Sequence, residues 1–164
     1  MTHRIRTTPR MWDVRHLELA MEISTWSKDP SSQVGAVIID SNRHPISWGY
    51  NGFPRGIKDD SKRLDNRVEK YPRVIHAEAN SILLATRSDL TDCTLYCTHA
   101  PCSRCAGLII QKRIRRVVYY RQQRYESKWA TDLMIAGDMF REVKIPFMIY
   151  NLKAQCVFSR GRQG

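Results

Sequence analysis

Between residues 11 and 27 the apolar side chains Trp12, Val14, Leu17, Met21 and Ile23 recur at loosely helical spacing with polar residues between them, which predicts an opening helix. Two short β-rich runs follow, VGAVIID at 34–40 and ISWGY at 46–50, split by the turn-like SNRHP. They predict a hairpin with a connection of about five residues. The segment 51–73 is rich in Gly, Pro and charge and reads as a long loop, a length that in a compact domain is commonly functional. Beyond it the pattern alternates: helix at 75–86, strand at 93–97, helix at 102–112, strand at 116–120, helix at 127–141 and strand at 145–150. The basic remainder has no strong periodicity, and disorder is expected beyond about Val157. With no internal repeat, the order predicts one α/β layered domain in which a hairpin feeds a sheet whose later strands are joined by helical crossovers.

Length agrees with this reading: 164 residues suit a single domain over 1–164, with a core at about 11–150 and a basic tail at 151–164. Hydrophobic residues are 42% of the chain and charges of both signs are mixed, which favours neither a disordered nor a collagen-like chain. The net charge of +11 favours anionic partners such as nucleotides, nucleic acid or acidic surfaces without choosing among them. Runs such as Lys112-Arg113-Ile114-Arg115-Arg116 read as solvated faces, because no base-reading motif accompanies them. No apolar run is long enough to span a membrane and the start MTHRIRTTPRMW lacks a signal-peptide core, so a cytoplasmic location is expected. Five cysteines, an odd number, fit a reducing compartment better than a disulfide framework.

Cys102 and Cys105 form a C-x-x-C pair, which alone is a redox dithiol, half of a structural zinc site or part of a catalytic metal site. The upstream segment VIHAEANSILLA supplies His76 and Glu78 at the start of a predicted helix. One imidazole and two thiolates leave a fourth position open, the pattern of catalytic rather than structural zinc. Helix starts favour the thiolate, and Pro101 suits a first turn because its missing N–H costs little there. Zinc lowers the pKa of bound water toward ~7. Glu78, two residues from His76, points elsewhere and is free to carry protons between water and a leaving amine. His76-Ala77-Glu78 with Pro101-Cys102-Ser103-Arg104-Cys105 is the H-x-E and P-C-x-x-C signature of zinc deaminases. Each element alone has an ordinary structural explanation; their combination in this order predicts one catalytic zinc. Cys93 and Cys97 flank a strand and read as core, Cys156 carries no role, and His99 is a candidate substrate contact.

These motifs resemble the cytidine and deoxycytidylate deaminase superfamily, most closely its deoxycytidylate branch. The likeness runs from about Leu17 to Tyr150 through SKDPSSQVGAVIID, GYNGFPRG, HAEANSILLA and CTLYCTHAPCSRCAGLII. The resemblance implies a three-layer α/β/α fold with a mixed five-stranded sheet. It also implies His76, Cys102 and Cys105 on zinc, Glu78 as proton shuttle, and hydrolysis of dCMP to dUMP and ammonia, supplying dUMP for thymidylate synthesis without an organic cofactor. Asn51 would contact the sugar, Val34, Gly35 and Ala36 would wall the base pocket with Ala77 beside them, and Tyr120 would close over the nucleotide. Lys28, Arg55, Ser103 and Arg104 are candidates for the phosphate. The family is commonly regulated by dCTP and dTTP, for which Mg2+ would accompany the triphosphate, and the resemblance implies a homo-oligomer, with a hexamer as the expected form. Two departures stand out: Ser31 and Ser32 replace an arginine that some members carry after the proline at Pro30, and the 51–73 loop is shorter than metal-bearing insertions, leaving a second zinc unsupported. A nucleic-acid-editing deaminase, such as one acting on tRNA adenosine, competes on charge but not on GYNGFPRG. A structural zinc module binding nucleic acid is opposed by Glu78 and by the missing fourth ligand.

Overall fold

The computed structural model describes residues 9–153 and 156–160, and the side chains of 11–153. Helix α1 spans Pro9–Ser24, and strands β1 (Gly35–Ile39) and β2 (Pro45–Tyr50) form the predicted hairpin. Its turn is closed by Asp40, whose Oδ1 accepts from the N–H groups of Asn42 at 2.9 Å and His44 at 2.8 Å, while Arg43 takes the left-handed conformation (φ 70°). The 51–73 segment contains two short helices, α2 (Ser61–Asp65) and α3 (Arg67–Lys70), each capped by a side chain, Asp60 and Asn66. Helix α4 (Ala77–Leu83), strand β3 (Thr94–Cys97), helix α5 (Ser103–Gln111) and strand β4 (Arg116–Tyr120) follow as the pattern predicts. The helix predicted at 127–141 is two: α6 (Gln123–Lys128) and α7 (Ala130–Glu142), separated at Trp129. Strand β5 (Phe147–Tyr150) is followed by β6 (Cys156–Arg160).

The sheet order is β2-β1-β3-β4-β5-β6. β1 is antiparallel to both β2 and β3, the run β3-β4-β5 is parallel, and β6 returns antiparallel to β5. The five expected strands are therefore present in one mixed sheet. A sixth is added at the edge by the tail, where disorder was expected beyond Val157; backbone pairing with β5 orders 156–160 without needing an apolar pattern. The sequence start, residues 161–164 and the Cys156 side chain lie outside the described residues. Among the described residues no helix is long and apolar enough to cross a membrane.

Alternation along each strand separates two cores. Ala36, Ile38, Leu95, Cys97, Val117 and Ile149 face α4, α5 and α7, meeting Ala77, Ala106, Ile109 and Phe140. Val37, Ile39, Tyr96, Val118, Tyr120 and Tyr150 face α1, meeting Leu17, Ala20 and Ile23. Each fully buried aliphatic side chain contributes about 1.5–3 kcal/mol, so both faces of the sheet drive its layering. α1 approaches β1 so closely that a Cβ at Gly35 would lie 2.1 Å from the Ala20 carbonyl oxygen. On this face Asp13, 2% exposed, accepts from Tyr96 Oη at 2.8 Å, Tyr150 Oη at 3.0 Å and Arg116 Nη1 at 2.9 Å, tying α1 to three strands.

Candidate active site

Two helix starts bring the signature residues together on the α4–α5 face. His76 is the N-cap of α4, with extended backbone (φ −71°, ψ 155°), and its carbonyl accepts from Asn80 N–H at 2.9 Å. Cys102 is the N-cap of α5 (φ −71°, ψ 168°), with Cys105 in that helix's first turn. His76 Nδ1 lies 3.4 Å from Cys102 Sγ and 3.5 Å from Cys105 Sγ, and the three ligand atoms fall within 4.8 Å of one another. A tetrahedral zinc with its usual N and S bond lengths has an N···S edge of about 3.6 Å, so the donor set and its spacing fit that ion. Among the described residues this group contains no fourth His, Cys, Asp or Glu, and Cys93, Cys97, Cys102 and Cys105 are all free thiols.

The electrostatics suit this chemistry. A hydrogen bond from Cys105, reinforced by His76, brings the Cys102 thiol well down, while the Cys105 partner, hydrogen-bonded to Cys102, is pushed up. The hydrogen bond to Cys102 in turn raises His76. Glu78, in the first turn of α4 and only 3% exposed, is held above the usual carboxyl range by burial, with the neighbouring His76 opposing. Cys97, fully buried beside Glu78, has its thiol pushed well up by burial, as a core residue should.

The wall next to His76 is built by backbone pairing. Gly52 and Ile75 exchange two hydrogen bonds, of 3.1 and 2.8 Å, closing the loop between them and bringing Asn51 to the entrance of α4. Asn51 is buried; its Oδ1 accepts from Val34 N–H and its Nδ2 donates to Ser32 O, both at 2.8 Å. An Asn amide carries two N–H groups and two lone pairs, and these contacts use one of each. Thr98 ties the end of β3 to Gly35 through bonds of 3.0 and 3.1 Å. Val34 packs against the site-side core, and Ala36 and Ala77 lie within it, fully buried. Lys28 is exposed and paired with Asp59 at 2.9 Å; both line a cavity of about 110 Å³ with Asp29, Asn51, Gly52 and Phe53. A larger cavity, about 290 Å³, runs between Pro101, Tyr119 and α7 and includes none of the triad residues.

One candidate is placed elsewhere and another is already engaged. Tyr120 is 4% exposed in the α1-side core, because alternation along β4 turns it away from the triad, so it does not close over this site. Ser103 is occupied: Asp132 accepts its N–H at 2.9 Å and its hydroxyl at 2.6 Å, placing a carboxylate where a phosphate was expected. Arg55 and Arg104 are exposed. His99 packs edge-on against Tyr125 of α6, with centroids 5.0 Å apart at 84°, and burial lowers it to about 4. Tyr125, which the sequence reading did not single out, is the aromatic residue that packs on His99; burial, followed by the charge of Glu78, raises its hydroxyl. Its only sequence signal was an aromatic residue following the basic run after β4.

Comparison with known proteins agrees with this geometry. Residues 10–121 match the family model for the cytidine and deoxycytidylate deaminase zinc-binding region. An uncharacterised deaminase in the luxG 3′ region of Aliivibrio fischeri is 42% identical over 135 residues, covering 82% of this chain and 90% of that one. The deoxycytidylate deaminase of Homo sapiens is 36% identical over 140 residues, covering 80% and 79% of the two chains. A crystal structure of dCMP deaminase from the cyanophage S-TIM5, in complex with dCMP and dUMP, superposes with a TM-score of 0.66 at 23% identity, covering 87% of this chain and 98% of that one.

Proposed function

Because the chain belongs to the cytidine and deoxycytidylate deaminases, we propose that it hydrolyses dCMP to dUMP and ammonia, with one zinc ion held by His76, Cys102 and Cys105. The observation that carries this reading is the pair of N···S separations, 3.4 and 3.5 Å, presented by two helix starts beside a buried carboxyl. A zinc ion held by these three residues would lower the pKa of bound water toward neutrality.

Glu78 does the proton work. A carboxyl held above its ordinary range by burial is suited both to take a proton from the attacking water and to return it. Attack of water at C4 of cytosine forms the C–O bond; Glu78 carries one of the water's protons to N3, and then the proton of the new C4 hydroxyl to the exocyclic nitrogen, so that the C4 carbonyl forms as the C4–N bond breaks and ammonia leaves. Asn51, already fixed on two sides, offers its remaining N–H and lone pair to the deoxyribose. Val34, Ala36 and Ala77 form the side and floor of the base pocket, and Tyr125 takes the covering place first assigned to Tyr120. Lys28, at the mouth of the cavity shared with Asn51, is the cation for the phosphate, exchanging Asp59 for substrate. By family likeness the reading extends to a homo-oligomer, proposed as a hexamer, and to regulation by dCTP and dTTP with Mg2+; sedimentation and effector titration test these.

The test is ammonia release from the zinc-loaded protein with dCMP, CMP, deoxycytidine, dCTP and tRNA. Turnover is expected on dCMP. Turnover on tRNA alone would overturn the reading.

A further inference from the structure

Lys70, the last residue of α3, is only 5% exposed although it lies in a segment that reads as loop. Its Nζ stands 3.1 Å from Asp29 Oδ1 and 2.8 Å from Ser31 Oγ. Asp29 is buried too, and the same Oδ1 accepts from Ser31 N–H at 2.8 Å, Ser31 Oγ at 2.9 Å and Ser32 N–H at 3.1 Å. One carboxylate oxygen thus gathers the turn 29–32, and Lys70 fastens that turn to α3. Both charges are taken out of water at a cost in hydration, so the pair must be held in a fixed geometry to be compensated.

The turn runs directly into the cradle of Asn51. Ser32 O accepts from Asn51 Nδ2 and Val34 N–H donates to its Oδ1, each at 2.8 Å. Ser27 closes the other side, its hydroxyl donating to Asn51 O at 2.8 Å while its carbonyl accepts from Gln33 Nε2 at 2.6 Å. The plane of the Asn51 amide is therefore set by a peptide whose opposite end is held by Lys70.

We infer that Lys70 is a positioning residue for substrate binding: through Asp29 and Ser31 it holds backbone 29–34 in the register that orients the Asn51 amide toward the nucleotide sugar. This rests on the proposed role of Asn51. Lys70 acts through that amide and is not a catalytic residue. The two serines that replace the arginine of some relatives are then part of the clamp, since Ser31 both donates to Asp29 and accepts from Lys70.

The experiment compares wild type, Lys70→Met and the double variant Lys70→Met/Asp29→Asn by dCMP kinetics, zinc content, thermal unfolding and the side-chain amide NMR signals of Asn51. The double variant removes the carboxylate that Lys70→Met leaves without its cation, yet keeps a carbonyl oxygen for Ser31 and Ser32, so it remains informative if the single variant folds poorly. Both variants are expected to raise KM at least five-fold, with kcat within two-fold, zinc retained and the Asn51 amide signals shifted. The double variant is expected to regain most of the lost Tm without regaining KM. A KM within two-fold of wild type in both, or a KM that recovers together with Tm, overturns the inference and leaves Lys70 a charge-balancing residue. Unchanged Asn51 signals overturn it whatever the substrate proves to be. Failure of wild type to turn over dCMP instead refutes the proposed function and leaves the NMR arm to decide on Lys70.

Discussion

Asp132, at the start of α7, accepts two hydrogen bonds from Ser103, one from the backbone N–H at 2.9 Å and one from the hydroxyl at 2.6 Å. Ser103 is the first residue of α5 and lies between Cys102 and Cys105. A side chain 29 residues away thus caps the helix start that carries both sulfurs. Loss of such a cap costs about 1 kcal/mol. Asp132→Ala is expected to lower Tm by several degrees and to release zinc to a chelator several-fold faster, with Asp132→Asn intermediate because it keeps an acceptor. Competition with a chromogenic chelator measures this; an unchanged release rate would show that the cap does not hold the metal helix.

The opposite face of the sheet offers a contrast, because Asp13 joins α1 to Tyr96, Tyr150 and Arg116 far from the chemistry. Removing one partner of a buried charge pair costs about 3–5 kcal/mol. Asp13→Ala is expected to lose stability on that scale in urea unfolding while the folded fraction keeps wild-type zinc content and KM. A changed KM at full zinc would mean that the two faces are coupled.

Acid sensitivity follows from His99, lowered to about 4 by burial. Between about pH 6.5 and 4 the unfolded chain carries a proton at this position that the folded chain does not, so ΔG of unfolding falls with pH by up to about 1.4 kcal/mol per unit. The contribution is complete above the unfolded value and is lost as pH drops through the window. Between pH 7 and 5 wild type is expected to lose about 1–2 kcal/mol more than His99→Gln. Equal losses would place the His99 ring in water.

Much of this molecule was legible because its chemistry is local. His76, Glu78, Cys102 and Cys105 sit at the starts of two helices, and a short motif fixes both residue type and position there. The hairpin and the strands at 93–97 and 116–120 were legible for the same reason. What could not be read depends on partners distant in sequence. The facing of Tyr120 depends on parity in a strand, Arg116–Tyr120, whose neighbours are apolar on both faces, so no polar alternation marks the inside. Lys70 and Asp29 meet across 41 residues, and nothing in the 51–73 segment distinguishes that lysine from its exposed neighbours. β6 is ordered by pairing with β5 rather than by its own pattern. The break at Trp129 splits a region whose composition is helical throughout, and with it comes the placement of Tyr125 near the site.

The most direct measurement is steady-state dCMP deamination by zinc-replete Glu78→Gln beside wild type, with metal content determined on the same samples. Proton transfer by a positioned carboxyl contributes roughly 10²–10⁴-fold. The variant is expected to retain one zinc per chain, bind dCMP with near-wild-type affinity and lose at least a hundred-fold in kcat, whereas Cys102→Ser loses metal and turnover together. A Glu78→Gln enzyme that holds its zinc and still turns over dCMP at the wild-type rate would contradict the account.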